Sequence, residues 1–249
     1  LATANCIVYA GATPDFVDID PITYTIDPNL VEEKVKFYQS KGKKVKAIIG
    51  VDYAGLPCDW KALREIADKY DLQLVNDNCH ALGASYFNNK QYAVKHADLT
   101  IQSYHPVKHL TTGEGGAVLT NNSELDEKIR RLRTHGMIKD NSKFSIQHQS
   151  LNEPWYYEMH ELGYNYRITD FQCALGSSQL KKLDNLNSKR TKIAKEYCKK
   201  INLENKMPLE EGCSYHLYWV KVKKRSNFMK KMHSFGIETG IHYKPIHHM

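Results

Sequence analysis

One lysine sits where a reactive amine could be built. In "SYHPVKHLTTGEGGAV", Ser103 to Val118, Lys108 follows a serine by five residues and precedes three glycines. A lysine drawn out of water loses affinity for its proton and becomes a nucleophile toward an aldehyde. Asp77 closes the apolar run "LQLVND", and Ser103 and His105 close "DLTIQSYH". In open α/β sheets the carboxyl ends of strands border the ligand crevice. If these two strands are neighbours, a carboxylate, a hydroxyl and an amine meet in one cleft.

That set suits one chemistry. An aspartate beneath a pyridine ring holds the ring nitrogen protonated and makes the ring an electron sink. A serine hydroxyl with backbone amides binds a phosphate. A desolvated lysine forms a Schiff base with an aldehyde. Together these are the parts of a pyridoxal phosphate site. The same residues also have an ordinary reading: Lys108 as a solvated loop charge, Asp77 as a turn cap, and "TTGEGG" as a turn entering a strand. Spacing alone leaves both open.

The elements that must position these residues alternate. "DFVDI" (Asp15 to Ile19), "VKAIIGV" (Val45 to Val51), "LQLVND" (Leu72 to Asp77), "DLTIQSYH" (Asp98 to His105) and "GAVLTN" (Gly116 to Asn121) read as strands. "DPNLVEEKVKFYQSKG" reads as a helix capped by Asp27, with Pro28 in its first turn and Gly42 at its end. "DWKALREIADKY" reads as a helix capped by Asp59 that buries Leu63, Ile66, Ala67 and Tyr70. A further helix starts at Ser123, with Asp126 completing an approximate capping box and Leu125, Ile129 and Leu132 turned inward. The alternation predicts α/β layers on a mainly parallel sheet.

A loop-rich stretch, Gly136 to Tyr164, leads into one long helix from Thr169 to Ile201, bent near Gly176. Beyond it the pattern predicts a strand at Tyr215 to Val222, a helix at Asn227 to Gly236 and a strand at Ile237 to Lys244. A boundary near residue 190 separates a large domain, 1–190, from a smaller one, 191–249. The chain opens on Leu1 and breaks off beside an apparent strand, so both domains read as incomplete.

With 249 residues and a net charge of +7, the chain is long enough for a real core and basic enough to attract phosphorylated small molecules. Its clusters "KGKKVK" and "KVKKR" flank strand-like runs, which argues against a nucleic-acid surface. No apolar run reaches membrane-spanning length. The six cysteines, Cys6, Cys58, Cys79, Cys173, Cys198 and Cys213, form no CxxC pair, which fits a reducing cytoplasm. His242, His247 and His248 lack the carboxylate or cysteine partners of a metal site.

Five ordered motifs carry a resemblance: "ATANCIVYAGATPDFVDID", "VDYAGLPCD", "NDNCHALGASY", "SYHPVKHLTTGEGGAVLTN" and "LGYNYRITDFQCALGSSQL". Spread from Ala2 to His247, they resemble the DegT/StrS-type family of sugar-nucleotide aminotransferases. The resemblance implies a fold type I pyridoxal-phosphate transferase, with a three-layer α/β/α large domain and a smaller C-terminal α/β domain. Lys108 matches the Schiff-base lysine that also shuttles the proton, and Asp77 the partner of the pyridine nitrogen. His80 matches a position against the cofactor ring, and Ser103 a phosphate ligand. Asn165 matches an asparagine that reaches the cofactor of the other subunit, implying a homodimer with shared active sites. His242 and Tyr243 match a segment lining the substrate cleft.

Within the family, "RTHGMIKD" and "IHYKPIHH" resemble the branch serving pseudaminic acid biosynthesis. That branch implies transfer from glutamate, by way of pyridoxamine phosphate, to C4 of a UDP-linked 4-keto-6-deoxy-N-acetylhexose. Other nucleotide-linked keto sugars, or a silent sugar-nucleotide-binding protein, are the alternatives. A sugar dehydratase on this scaffold would carry histidine in place of Lys108. The resemblance also places the family's glycine–threonine phosphate loop and a ring-stacking aromatic upstream of Leu1. Asn76 stands where the family has an acidic residue.

Overall fold

The computed structural model describes residues 1–145 and 153–248. Its elements, in order, are α1 (Ala2–Tyr9), α2 (Pro28–Ser40), β1 (Ala47–Val51), α3 (Trp60–Tyr70), β2 (Gln73–Asp77), α4 (Tyr92–His96), β3 (Leu99–Ser103), β4 (Gly116–Leu119), α5 (Ser123–Leu132), β5 (Met137–Ile138), β6 (Glu158–Met159), α6 (Asp170–Leu180), α7 (Leu183–Lys200) and α8 (Arg225–Ser234).

Local chemistry sets the helix starts. Asp27 accepts from the Asn29 N–H at 2.8 Å ahead of Pro28, and Asp59 accepts from the Ala62 N–H at 3.2 Å. Both caps stand where the sequence predicts them. The four-stranded sheet runs β1-β2-β3-β4, with the first two pairings parallel and β3–β4 antiparallel. The mainly parallel α/β sheet expected from the sequence is therefore present.

One face of the sheet carries the main core. Trp60 and Leu63 of α3 and Leu74 of β2 are fully buried there, with Val31 and Val35 of α2 and Tyr92 of α4. Each such apolar side chain contributes about 1.5–3 kcal/mol on removal from water. Gly50 lets Trp60 approach: a Cβ there would meet the Trp60 ring at 2.8 Å. A second cluster joins Ala54 and Leu56 to Ala194, Met207, Cys213 and Tyr215, so the chain after α7 packs back onto the end of β1.

Several expectations are corrected. Asp15–Ile19 forms no strand, only an isolated bridge of Ile19 with Ile26. Asp15 and Asp18 accept from the next residue's N–H, at 2.7 and 2.8 Å, and so compete with a ladder. Tyr215–Val222 makes only a bridge of Val220 with Lys206, and Ile237–Lys244 joins no ladder among the described residues. β propensity needs a neighbouring strand to be satisfied. The long helix is two helices, broken at Lys181–Lys182 rather than bent at Gly176, where Lys182 closes a turn onto the Gln179 carbonyl. Asn122, not Ser123, caps α5, accepting from the N–H groups of Glu124 and Leu125. Leu125, Ile129 and Leu132 are only half-buried. Gly136 to Tyr164 includes the short β5–β6 pair, and its residues 146–152 lie outside those described.

Candidate active site

Parallel pairing brings the predicted groups together. Asp77, the last residue of β2, is in register with Ile101 of β3, and Ser103 ends that strand two residues on. The chain then enters a loop pinned at its neck, where the Tyr104 N–H donates to Gly115 O at 2.8 Å. Within it the Thr112 N–H and the Thr111 hydroxyl both donate to Tyr104 O, at 2.9 and 3.1 Å. Gly115, at φ +149°, could not be another residue: a Cβ would meet Thr112 Oγ1 at 2.5 Å. The "TTGEGG" run is thus a built loop.

That loop holds Lys108 half-buried, its N–H bonded to His105 O at 2.9 Å. Burial pushes the Lys108 amine below its ordinary value, against the opposing pull of the Cys79 and Asp77 charges. The lysine therefore departs from a solvated loop charge in the direction nucleophilicity requires.

Asp77 is fixed from two sides. The Thr3 hydroxyl of α1 donates to Oδ2 at 2.7 Å and the Cys79 N–H to Oδ1 at 3.2 Å. The turn after Asp77 is anchored by Asn78, whose Nδ2 donates to Asp52 Oδ2 at 2.9 Å and to Tyr92 Oη at 2.8 Å. Asp52 is wholly buried and also accepts from the Cys58 N–H (2.8 Å), Trp60 Nε1 (2.9 Å) and Tyr92 Oη (2.6 Å). Both its oxygens are thus satisfied, as a buried carboxylate requires.

His80 is buried, and burial followed by the Lys108 charge pushes its imidazole down to about 4. It is therefore a neutral ring at ordinary pH. Its Nε2 lies 3.2 Å from Tyr243 Oη, and its Nδ1 is buried without a partner. Tyr243 thus reaches the cluster, and Tyr53 Oη donates to the His242 carbonyl, bringing that residue to its edge. The Ser103 hydroxyl accepts from the His105 N–H at 3.4 Å. Asn165 lies apart from these bonds, exposed and bridged to Thr134. Among the described residues no group of histidines, cysteines and carboxylates is arranged to hold a metal ion. Hollows of about 370 and 650 Å³ lie elsewhere, one beside Lys43 and Tyr70, the other beside Asp20, Asp59 and Glu210. The chemistry of the side chains, not volume, locates the site.

Sequence reasoning missed Thr3, Asp52, His109 and His216. His109 follows Lys108 directly and Asp52 opens the "DYAGLP" turn, so both carried a positional signal. Thr3 and His216 carried none.

The chain matches the model of the DegT/DnrJ/EryC1/StrS aminotransferase family over residues 1–249. It is 39% identical over 256 residues to the UDP-4-amino-4,6-dideoxy-N-acetyl-beta-L-altrosamine transaminase of Campylobacter jejuni, covering 98% of this chain and 63% of that protein. Among solved structures it is similar to Helicobacter pylori PseC, an aminotransferase involved in the biosynthesis of pseudoaminic acid. That match has a TM-score of 0.84 and 33% identity, covering 99% of this chain and 63% of the other. The putative sugar aminotransferase Spr1654 of Streptococcus pneumoniae, in its PMP form, gives a TM-score of 0.85 at 27% identity, covering 100% of this chain and 67% of the other. The chain thus spans somewhat less than two thirds of the curated relative's length.

Proposed function

Because this chain belongs to the DegT/DnrJ/EryC1/StrS aminotransferase family, we propose that it is the greater part of a pyridoxal-phosphate-dependent sugar aminotransferase. One observation carries the reading: a half-buried lysine of depressed proton affinity beside Asp77 and a buried neutral His80, at the carboxyl ends of adjacent parallel strands. These residues fit the cofactor. His80 keeps an unpartnered buried nitrogen, and the donor set offers a carboxylate, an amine and a neutral ring.

When bound, the cofactor supplies an electron sink for the carbon that gains or loses the amino group. Asp77 keeps a proton on the pyridine nitrogen, and the Thr3 and Cys79 bonds hold the carboxylate in place to do so. His80 would border the cofactor's ring, and the Ser103 hydroxyl would hold its phosphate. Lys108 Nζ, whose hold on its proton is weakened by burial, would be the amine that holds the cofactor's aldehyde carbon and the group that moves the proton. His242 and Tyr243 border the sugar.

The amino donor is glutamate and the acceptor a nucleotide-linked keto sugar, specifically a UDP-linked 4-keto-6-deoxy-N-acetylhexose of the pseudaminic pathway. The printed activity of the Campylobacter relative supports this choice. The working unit is a cytoplasmic homodimer in which Asn165 serves the partner's site. Its support is the exposed surface around Asn165, where Tyr164 and Tyr166 stack at 4.7 Å and Phe171 is 91% exposed. No helix among the described residues is long and apolar enough to cross a membrane.

The test uses the full-length protein with glutamate and, separately, UDP- and dTDP-linked 4-keto sugars. A 4-amino product from the UDP sugar, found by mass and sugar NMR, is the expected result. Reaction with the dTDP sugars alone would overturn the choice of substrate. A protein that never takes up the cofactor's violet absorption would overturn the reading of the site.

A further inference from the structure

Ser214, in the segment after α7, is bonded to the candidate pocket. The Ser214 N–H donates to Gly55 O at 2.9 Å and its hydroxyl to His80 O at 3.2 Å, while its own carbonyl lies 3.2 Å from His109 Nε2. This anchorage lays the ring of His216 against that of His80, with centroids 4.3 Å apart and planes 33° from parallel. His109 stands 5.3 Å from His216. On its other contacts His80 meets Tyr243, whose ring is 6.1 Å away, and Tyr53 at 6.2 Å.

Simple core filling does not account for this stack. Nδ1 of His80, of His109 and of His216 is in each case buried without a partner. A buried, unpaired ring nitrogen costs stability, and apolar rings would fill the same space without that loss. The rings are also mutually compatible only when neutral. Burial, reinforced by neighbouring positive charge, holds all of them in that state. Neutral aromatic rings stack without repulsion and restrain one another's tilt.

We propose that His216 is a positioning residue: packed at a tilt against the ring of His80, it fixes the plane in which His80 faces the cofactor pocket. It thereby ties cofactor retention to the chain that follows α7. The inference rests on reading Lys108, Asp77 and His80 as that pocket.

The experiment compares His216→Ala, His216→Leu and His216→Phe in the full-length protein. Cofactor affinity is read from titration of the violet absorption. The His80 ring is read from its nitrogen NMR signals in protein stripped of cofactor, and folding from thermal melting. Loss of the stack in His216→Ala weakens cofactor retention about tenfold, the scale at which supporting contacts act on a bound group. It also averages the His80 ring signals. His216→Leu fills the space without a flat face and behaves like His216→Ala, whereas His216→Phe restores the stack and both readouts.

If His216→Ala does not fold, the leucine and phenylalanine variants still decide the matter. The proposal is overturned if His216→Leu keeps wild-type affinity and a fixed His80 ring, or if His216→Phe loses as much as His216→Leu. The NMR readout needs no cofactor. A wild-type protein that never binds cofactor therefore refutes the pocket assignment, while the ring signals still decide the stack.

Discussion

The carboxyl ends of β1 to β3 and the surface of α6 differ in how much of their chemistry one chain completes. At the strand ends the polar anchors have partners from the same chain: Asp52 accepts from four donors, and Asp77 is held by Thr3 and Cys79. Along α6 no residue is buried, although Phe171 and Leu175 are apolar, and Leu162, Tyr164 and Tyr166 just ahead of it are exposed as well. Exposed apolar residues gathered in one stretch of chain are what the proposed subunit contact would cover. On the proposed reading, groups that hold a cofactor take their rigidity from their own chain, whereas groups meant for a second subunit stay exposed.

That contrast breaks first, if it breaks, at Lys108. Lys108→Ala should lower turnover by a factor on the order of 10⁴ or more, as loss of a nucleophile does. The violet absorption should vanish and the melting temperature should hardly move, since this half-buried side chain carries little packing. Retained absorption and turnover would remove the strand-end cluster from the chemistry. Asp77→Asn comes next. It should still bind the cofactor but lose about 10²–10³ in rate, the scale of one well-placed electrostatic contact. Steady-state rates near those of the wild type would show that Asp77 is only a turn residue.

The rigidity of the strand-end side is tested by Leu63→Ala. Leu63 is fully buried against the sheet, and truncation should cost about 2–5 kcal/mol in denaturant unfolding. A smaller, pH-dependent effect belongs to the histidines. His80 and His109 are held neutral, with folded values of about 4 against an ordinary 6.5. Below 6.5 the unfolded chain takes up protons that the folded chain refuses, so stability is full above that pH and falls as pH drops toward 4. Melting curves recorded across this window should show the decline, and His109→Asn should flatten part of it. An unchanged slope in that variant would mean that His109 is not held neutral by the fold.

The smallest effect is expected on the other side of the comparison. Phe171→Ser removes an exposed ring and should change the stability of one protomer by no more than about 0.5 kcal/mol. In the full-length protein the same substitution should weaken dimerisation, read by analytical ultracentrifugation. An unaltered dimer would place the partner elsewhere. Mixing Lys108→Ala with Asn165→Ala subunits sharpens the point: mixed dimers should recover one working site, and mixed dimers without activity would separate Asn165 from the neighbour's site.

Much of this was legible in the residues because the signals are local. Asp27 and Asp59 cap the helices they precede, Leu63 and Ile66 recur at helical spacing, and Lys108 lies between a strand end and a glycine run. Each depends on chain geometry within a turn or two, which neighbouring residues dictate. The failures share the opposite property. Asp15–Ile19, Tyr215–Val222 and Ile237–Lys244 have the composition of strands, but a strand exists only where a second one offers its hydrogen-bonding edge. Packing of distant segments sets the contact of the Thr3 hydroxyl with Asp77 across 74 positions, the bond of Ser214 to the carbonyl of His80 across 134, and the tilted packing of His216 on His80. Such contacts follow from how the sheet, α1 and the segment after α7 pack together, and no short-range pattern encodes a distance of that kind.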